Sequence, residues 1–401
     1  MKKSLLALAV LGAFAATAQA QSSVTIYGIV DAGITMQSKA ASSGSTVNNK
    51  LFALTSGGMS GSRLGFKGTE DLGGGLKANF VLESGFNTDT GALNSQEQNQ
   101  TNLFRRTSTV GLSGAFGSVN VGRQTDFAYS GVNGGTAVYS TQGYMGIFTD
   151  DNGSSQARLA GSRTDNSIRY DMPAFNGLTG GVMYGFGEQT GAGSAGQSYS
   201  AGLKYDNGPI SFGGSYYQSK FGATPSDSVL NGFSATSAPT PTGTGAGNTA
   251  TKTFTLGASY KFSSSLLYGN WSRVKMATTA GATATTFNSA GTNGNVSAND
   301  KLDLYEIGYN YDLTSSLKLL TGISHTRASF VTGASAGNVN MVAGGVDYFL
   351  SKRTDLYAMA SYYKASGVTN PLATGTQNAT GALAGTVGSS YLLGVGIRHA
   401  F

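Results

Sequence analysis

Along most of this chain the character of the side chains changes at every second residue, in segments of about ten. Phe254, Leu256, Ala258, Tyr260 and Phe262 alternate with Thr253, Thr255, Gly257, Ser259 and Lys261. Tyr199, Ala201, Leu203 and Tyr205 alternate in the same way with Ser200, Gly202, Lys204 and Asp206. The rhythm runs to the terminus, where Tyr391, Leu393, Val395, Ile397, His399 and Phe401 oppose Leu392, Gly394, Gly396, Arg398 and Ala400. Successive strand residues point to opposite faces, so each segment presents one apolar side and one small or polar side. A period of two excludes amphipathic helices. Segments of this length match a tilted strand crossing the hydrocarbon layer of a bilayer.

Composition narrows the choice. Charged residues make up 11% of the chain and hydrophobic ones 39%, with 60 Gly, 20 Tyr, 20 Phe and no Cys. A soluble domain carries about 25% charge, so a sheet with one face in lipid fits better. Lys2 and Lys3 precede an apolar run from Leu5 to Ala16, and Ala18-Gln19-Ala20 has the small-x-small form of a cleavage site. We expect residues 1–20 to be a cleaved signal peptide and residues 21–401 to form one domain. No run approaches the roughly 20 apolar residues of a spanning helix, so any membrane crossing is by strands. The formal charge of +6 comes with no basic run or aromatic-basic cluster, and no nucleic-acid partner is expected.

Short and long connections take turns. The short ones are Gly73-Gly74-Gly75, Ala115-Phe116-Gly117, 174–177, Asp206-Asn207-Gly208, 263–265, 314–316 and 351–353, which is tight-turn chemistry. The long ones lie near 38–50, 87–103, 126–165, 188–197, 222–251, 277–299, 331–338 and 366–388 and are rich in Gly, Ser, Thr, Ala and Asn. Seven turns and eight loops imply sixteen strands. An even number closes into a barrel with no unpaired edge and both termini on one side. The expected fold is an all-β, 16-stranded antiparallel transmembrane barrel with short periplasmic turns and long external loops.

Several blocks carry a resemblance: VTIYGIVDAGI (24–34), RLGFKGTEDLGGGLKANFVLE (63–83), RRTSTVGLSGAFGSVNVGRQ (105–124), YDNGPISFGG (205–214) and GIRHAF (396–401). Together they resemble the general diffusion porins of Gram-negative outer membranes, in their β-proteobacterial branch. The resemblance implies a water-filled channel for passive diffusion of small hydrophilic solutes and ions, narrowed by an inward-folded third loop. It also implies a homotrimer in contact with outer-membrane lipid and lipopolysaccharide. The barrel-assembly machinery would read the C-terminal strand, with Tyr391 and Phe401 as its signal.

By position, the resemblance places Arg63, Arg105 and Arg163 on the basic side of the pore constriction. Parity agrees for two of them. Arg63 shares a face with Gly65 and Lys67, opposite Leu64 and Phe66; Arg105 shares one with Thr107 and Thr109. Arg169 faces inward too, because Ile168 and Tyr170 take the other side. Arg123 matches a pore arginine of some relatives, but its parity groups it with Val119 and Val121, so a bulge would be needed to turn it inward. The third loop, Asp126–Asp165, offers Asp126, Asp150 and Asp151 for the acidic side. It lacks the Pro-Glu-Phe-Gly motif of some relatives and has Gly143-Tyr144-Met145-Gly146 instead. A basic wall with a weak acidic counterpart favours anions.

Two histidines and no cysteine leave little for catalysis or metals, and neither an enzyme nor a cofactor is expected. The alternative is a substrate-specific channel, for example for sugars, which would line its lumen with a continuous row of aromatics. Tyr27 and Tyr217 point inward by parity, while most aromatics point outward.

Overall fold

The structure is a computed structural model that describes residues 23–42, 45–93, 102–128, 163–188, 190, 196–220, 250–275, 299–330, 337–366 and 389–401. Its strands are β1 (Ser23–Ser42), β2 (Ser45–Ser56), β3 (Arg63–Gly73), β4 (Leu76–Gly85), β5 (Thr107–Gly114) and β6 (Gly117–Thr125). Then follow β7 (Arg163–Asp171), β8 (Leu178–Gly185), β9 (Ser198–Asn207), β10 (Ile210–Lys220), β11 (Ala250–Phe262) and β12 (Ser265–Lys275). The last are β13 (Asn299–Asp312), β14 (Leu317–Phe330), β15 (Gly337–Phe349), β16 (Thr354–Ser366) and β17 (Ser389–Ala400).

From β3 onward each strand pairs antiparallel with the next, and β17 pairs with β1 from Ile29↔Ala400 to Gln37↔Leu392, which closes the cylinder. The seventeen described strands fill sixteen positions. β1 pairs with β3 along Ser23–Ile29 and with β2 from Ala32 onward, so β2 and β3 lie end to end beside it. Closure gives each central strand two hydrogen-bonded neighbours, which lipid demands of any backbone inside it.

The alternation expected from the sequence sorts the side chains. Val24, Ile26, Ile34, Leu203, Leu256, Ile307, Val342 and Val395 are exposed on the outside. Asp31, Ser200, Thr255, Asn270, Glu306, Ser324 and Asp347 point inward and are buried. The inner wall is not uniformly polar. Leu320, Tyr357 and Met359 also face inward and pack into an apolar cluster with Met59.

All seven expected tight turns separate consecutive strands, and seven of the eight expected loops do so as well. The first loop is a correction. Residues 38–50 are largely strand, because β1 runs to Ser42 and β2 starts at Ser45 in register with it. Ser- and Asn-rich composition reads as loop, but cross-strand pairing decides. The break falls instead at residues 57–62, between β2 and β3.

At the seam Gly28 and Phe401 exchange two backbone hydrogen bonds of 3.1 Å each. The Phe401 ring lies over Gly28, where a Cβ would come within 2.4 Å of the ring and 2.5 Å of the Arg63 carbonyl oxygen. Only a residue without a side chain permits that approach. Tyr391 enters β17 with its N–H donating to Ser38 Oγ at 2.8 Å.

Candidate functional site: the lumen wall

The inner face of β3–β7 carries six arginines: Arg63, Arg105, Arg106, Arg123, Arg163 and Arg169. Arg63 stands opposite the inward Ile29 and donates from Nε to the Gly61 carbonyl at 2.8 Å. Arg105, Arg163 and Arg169 are buried in the wall. None of them is a floating chain end; each is held, and a held charge has a defined position in the channel.

Arg123 reaches the lumen by the device that its parity requires. The β6–β7 ladder shifts register between Gly122 and Gln124, the mark of a β-bulge. Gly122 takes φ +128°, and a Cβ there would lie 2.1 Å from the Ser108 carbonyl oxygen. On the partner strand Asn166 sits at φ 51°. The turned guanidinium donates from Nε to the Arg105 carbonyl and from Nη1 to Asp165 Oδ1 at 2.6 Å. The expected Arg105 and Arg123 are thereby joined.

Arg106 escapes a parity argument. Ser108, Val110 and Leu112 define the outer face of β5, so an even position would face lipid, but residue 106 precedes the strand in a bend. Its Nε donates to Glu83 Oε1 at 2.7 Å, and Tyr27 Oη donates to Glu83 Oε2 at 3.0 Å. Lys67 lies 5.2 Å from the Tyr27 ring centroid. The signal in the sequence was Glu83, an acid on the inward side of β4, which demands a cation nearby.

Arg169 is bound to the foot of the third loop. Its guanidinium grips Asp171 at 2.7–3.1 Å, donates to the Thr125 carbonyl at 2.8 Å and lies 4.0 Å from the Phe127 ring centroid. Phe127 is fully buried and its N–H donates to Ser200 Oγ on the inner face of β9 at 2.9 Å. After β6 the chain therefore turns into the lumen and crosses the inner faces of β7 and β8. Asp126 is fully buried at that turn. Asp150 and Asp151 lie outside the described residues.

A second inner assembly was not foreseen. Residues 57–62 leave the barrel wall and wrap the buried carboxylate of Asp31. Gly58 N donates to Oδ1 at 3.2 Å, while Met59 N and Ser60 N donate to Oδ2 at 2.9 and 2.8 Å. Tyr357 Oη adds a fourth bond to Oδ1 at 2.6 Å. Arg398 donates to Ser60 Oγ at 2.9 Å and pairs with Asp355 at 3.1 Å and Asp347 at 3.6 Å. A row of backbone N–H groups around one carboxylate is a nest, and here it pins a short segment against β14–β17. Of the inward tyrosines, Tyr27 is tied to Glu83 and Tyr357 to Asp31, while Tyr217, Tyr268 and Tyr363 are buried.

A closed cylinder, apolar outside, with a charged inner wall and a loop entering it is the geometry of a transmembrane channel. Residues 7–368 match the family model described as Gram-negative porin. The chain belongs to the Gram-negative porin family. An outer membrane porin protein of Bordetella pertussis is 31% identical with full coverage of both chains, and outer membrane porin protein 32 of Delftia acidovorans is 33% identical, again over the whole of both. Among solved structures, an anion-selective porin from Comamonas acidovorans superposes with a TM-score of 0.66 at 29% identity, covering 95% of this chain and 100% of that one. OmpT of Vibrio cholerae, in a trimer form, shares the fold at a TM-score of 0.60 and 14% identity. This porin is an outer-membrane channel.

Proposed function

We propose that this porin is a general diffusion channel with a weak preference for anions, and that Arg63, Arg105, Arg106, Arg123 and Arg163 form the basic side of its throat. The observation that carries this reading is the excess of fixed positive charge on β3–β7. On the inner side of these strands the six arginines, Lys67 and Lys77 stand against Asp71, Glu83, Asp126, Asp165 and Asp171 among the described residues; Glu70 takes the outer parity, Asp89 lies beyond β4, and Asp126 is fully buried. The anion-selective porin of Comamonas acidovorans supports the same sign. A polar solute crosses such a lumen without shedding its hydration, while the fixed charges bias which ion follows it. Arginine suits the task because it remains charged at every relevant pH. Arg169, which grips Asp171, the Thr125 carbonyl and the Phe127 ring, positions the third loop.

A monovalent ion about 7 Å from one guanidinium in water feels about 0.6 kcal/mol, cut to roughly 0.25 kcal/mol by physiological salt. The sign is opposite for potassium and chloride, so each arginine removed changes the permeability ratio about twofold, and two change it about fivefold. Reversal potentials of the purified protein in planar bilayers under asymmetric KCl test this. The wild type should favour chloride, and Arg63→Gln with Arg105→Gln should move the ratio toward potassium. An unchanged ratio removes both residues from the throat.

The assembly we propose is a homotrimer joined through β1–β6. No Tyr or Trp stands on the outer face of these strands, whereas Tyr170, Tyr199, Tyr260, Trp271, Tyr305, Tyr348 and Tyr362 ring the rest. Interfacial aromatics anchor a surface that meets lipid, so their absence marks a surface that meets protein. A cysteine at Val110 should crosslink between protomers, and one at Ile323 should not. Residues 1–20 are proposed as the cleaved signal, which N-terminal sequencing of the mature protein tests.

A further inference from the structure

Near the short turn that joins β15 to β16, the inner wall holds more acid than its cations neutralise. Asp347 and Asp355 face inward there and are buried, with 1% and 5% of their surface exposed. The register sets Asp347 beside Tyr357, and Phe349 beside Asp355 two positions nearer the turn. The two acids are therefore diagonal neighbours on one face of the sheet, about 7–8 Å apart at the backbone. Their carboxyl groups come within reach of each other.

One guanidinium serves both. Arg398 Nε donates to Asp355 Oδ2 at 3.1 Å, and Nη2 lies 3.6 Å from Asp347 Oδ2. Arg398 also stands directly opposite Asp31, whose carboxylate the nest of residues 58–60 already holds. Lys318, opposite Asp347 on β14, extends to 3.6 Å from Asp312 and 5.9 Å from the Phe349 ring centroid. Asp347 Oδ1, Asp347 Oδ2 and Asp355 Oδ1 accept no hydrogen bond among the described residues. A buried carboxylate needs a partner, and two in contact repel each other as well.

Counting oxygens decides what fits. A proton shared between the two carboxyl groups would occupy two of the three open oxygens and leave the third. A cation can be ligated by all three. The donor set is oxygen alone, and one aspartate has both atoms open. Such a set suits a hard divalent cation of the calcium type, which takes carboxylates by one or two oxygens and completes its shell with water. Zinc and softer metals would call for histidine or cysteine.

We propose that Asp347 and Asp355 bind a calcium-type divalent cation on the lumen wall, Asp347 through both oxygens and Asp355 through Oδ1, with water filling the remaining positions. The ion joins β15 to β16 across their turn. It also changes the summed charge of Asp347, Asp355 and Arg398 from one negative to one positive, so the ion state of this wall sets the local field. Two carboxylates make a weak site, with a dissociation constant for calcium on the order of 10⁻⁴–10⁻³ M.

The test titrates terbium into the full-length porin after chelator treatment, reading terbium emission sensitised by the Tyr357 ring, which neighbours Asp347 across the strands. The folded wild type should show emission that saturates at one ion per chain and is displaced by millimolar calcium. Asp347→Asn and Asp355→Asn, each with nearly unchanged shape, should lower it about tenfold or more. Tyr357→Phe should lose the emission yet retain calcium in equilibrium dialysis. Absence of saturable emission in the folded wild type overturns the proposal and leaves the pair to a shared proton. Emission that persists in both aspartate variants, or in Tyr357→Phe, places the ion elsewhere and equally overturns it.

Discussion

Replacing Asp31 with asparagine keeps the shape of the side chain and removes its charge, and the geometry around it predicts a large effect on a small piece of the chain. The carboxylate accepts four hydrogen bonds, from Gly58, Met59 and Ser60 N–H and from Tyr357 Oη. An amide keeps one acceptor oxygen and turns an NH2 group toward the remaining donors, so two bonds are lost. Hydrogen bonds to charged groups contribute about 1.5–3 kcal/mol each, which gives about 3–6 kcal/mol lost from the attachment of residues 57–62. The β1–β17 ladder from Ile29 to Gln37 does not depend on this side chain, so the barrel should still close. The released segment should then be cut by protease near Met59 in the folded variant and should raise the open-channel current noise. Tyr357→Phe removes one donor and should show a weaker form of both effects. Resistance to proteolysis and current noise equal to the wild type in Asp31→Asn would refute the reasoning.

Gly122→Ala should be destabilising by about 1–3 kcal/mol, since φ +128° is forbidden to a residue with a Cβ; the denaturation midpoint should fall, and the potassium-to-chloride ratio should move as it does in Arg123→Gln. Arg106→Gln should cost about 3–5 kcal/mol by leaving Glu83 charged and buried, and adding Glu83→Gln should restore much of the midpoint. Gly28→Val should reduce the fraction of barrel that resists unfolding in cold dodecyl sulfate. Adding Phe401→Ala should not rescue it, because the Arg63 carbonyl still occupies the space.

How far the sequence could be read depended on whether a feature is local. The face of Arg63 follows from its two neighbours, and the turn at Asp206-Asn207-Gly208 from its own residues. Arg123 was legible only as a condition: parity called for a bulge, and whether one exists is settled by the register of Gly122 against Thr109 and Ser167. Arg106 was missed because its even parity assigns it to the outer face with Ser108 and Val110, whereas the bend just before β5 turns it toward Glu83. The Asp31 nest was out of reach for a different reason. Tyr357 is 326 positions away from Asp31 and comes beside it only because β17 closes on β1. Likewise Asp347 and Asp355 share Arg398 only once β15, β16 and β17 are in register, although both acids stand in plain view.

The chain contains no cysteine, so single cysteines introduced along β4 and β5 report the environment of each position without background. Against a membrane-impermeant thiol reagent applied to the protein in lipid vesicles, Asn79, Val81, Thr107 and Thr109 should react through the aqueous lumen. Ala78, Phe80, Ser108 and Val110 should stay unreactive against lipid or a neighbouring protomer. Reaction at both sets, or at neither, would contradict a sealed cylinder with a water-filled interior.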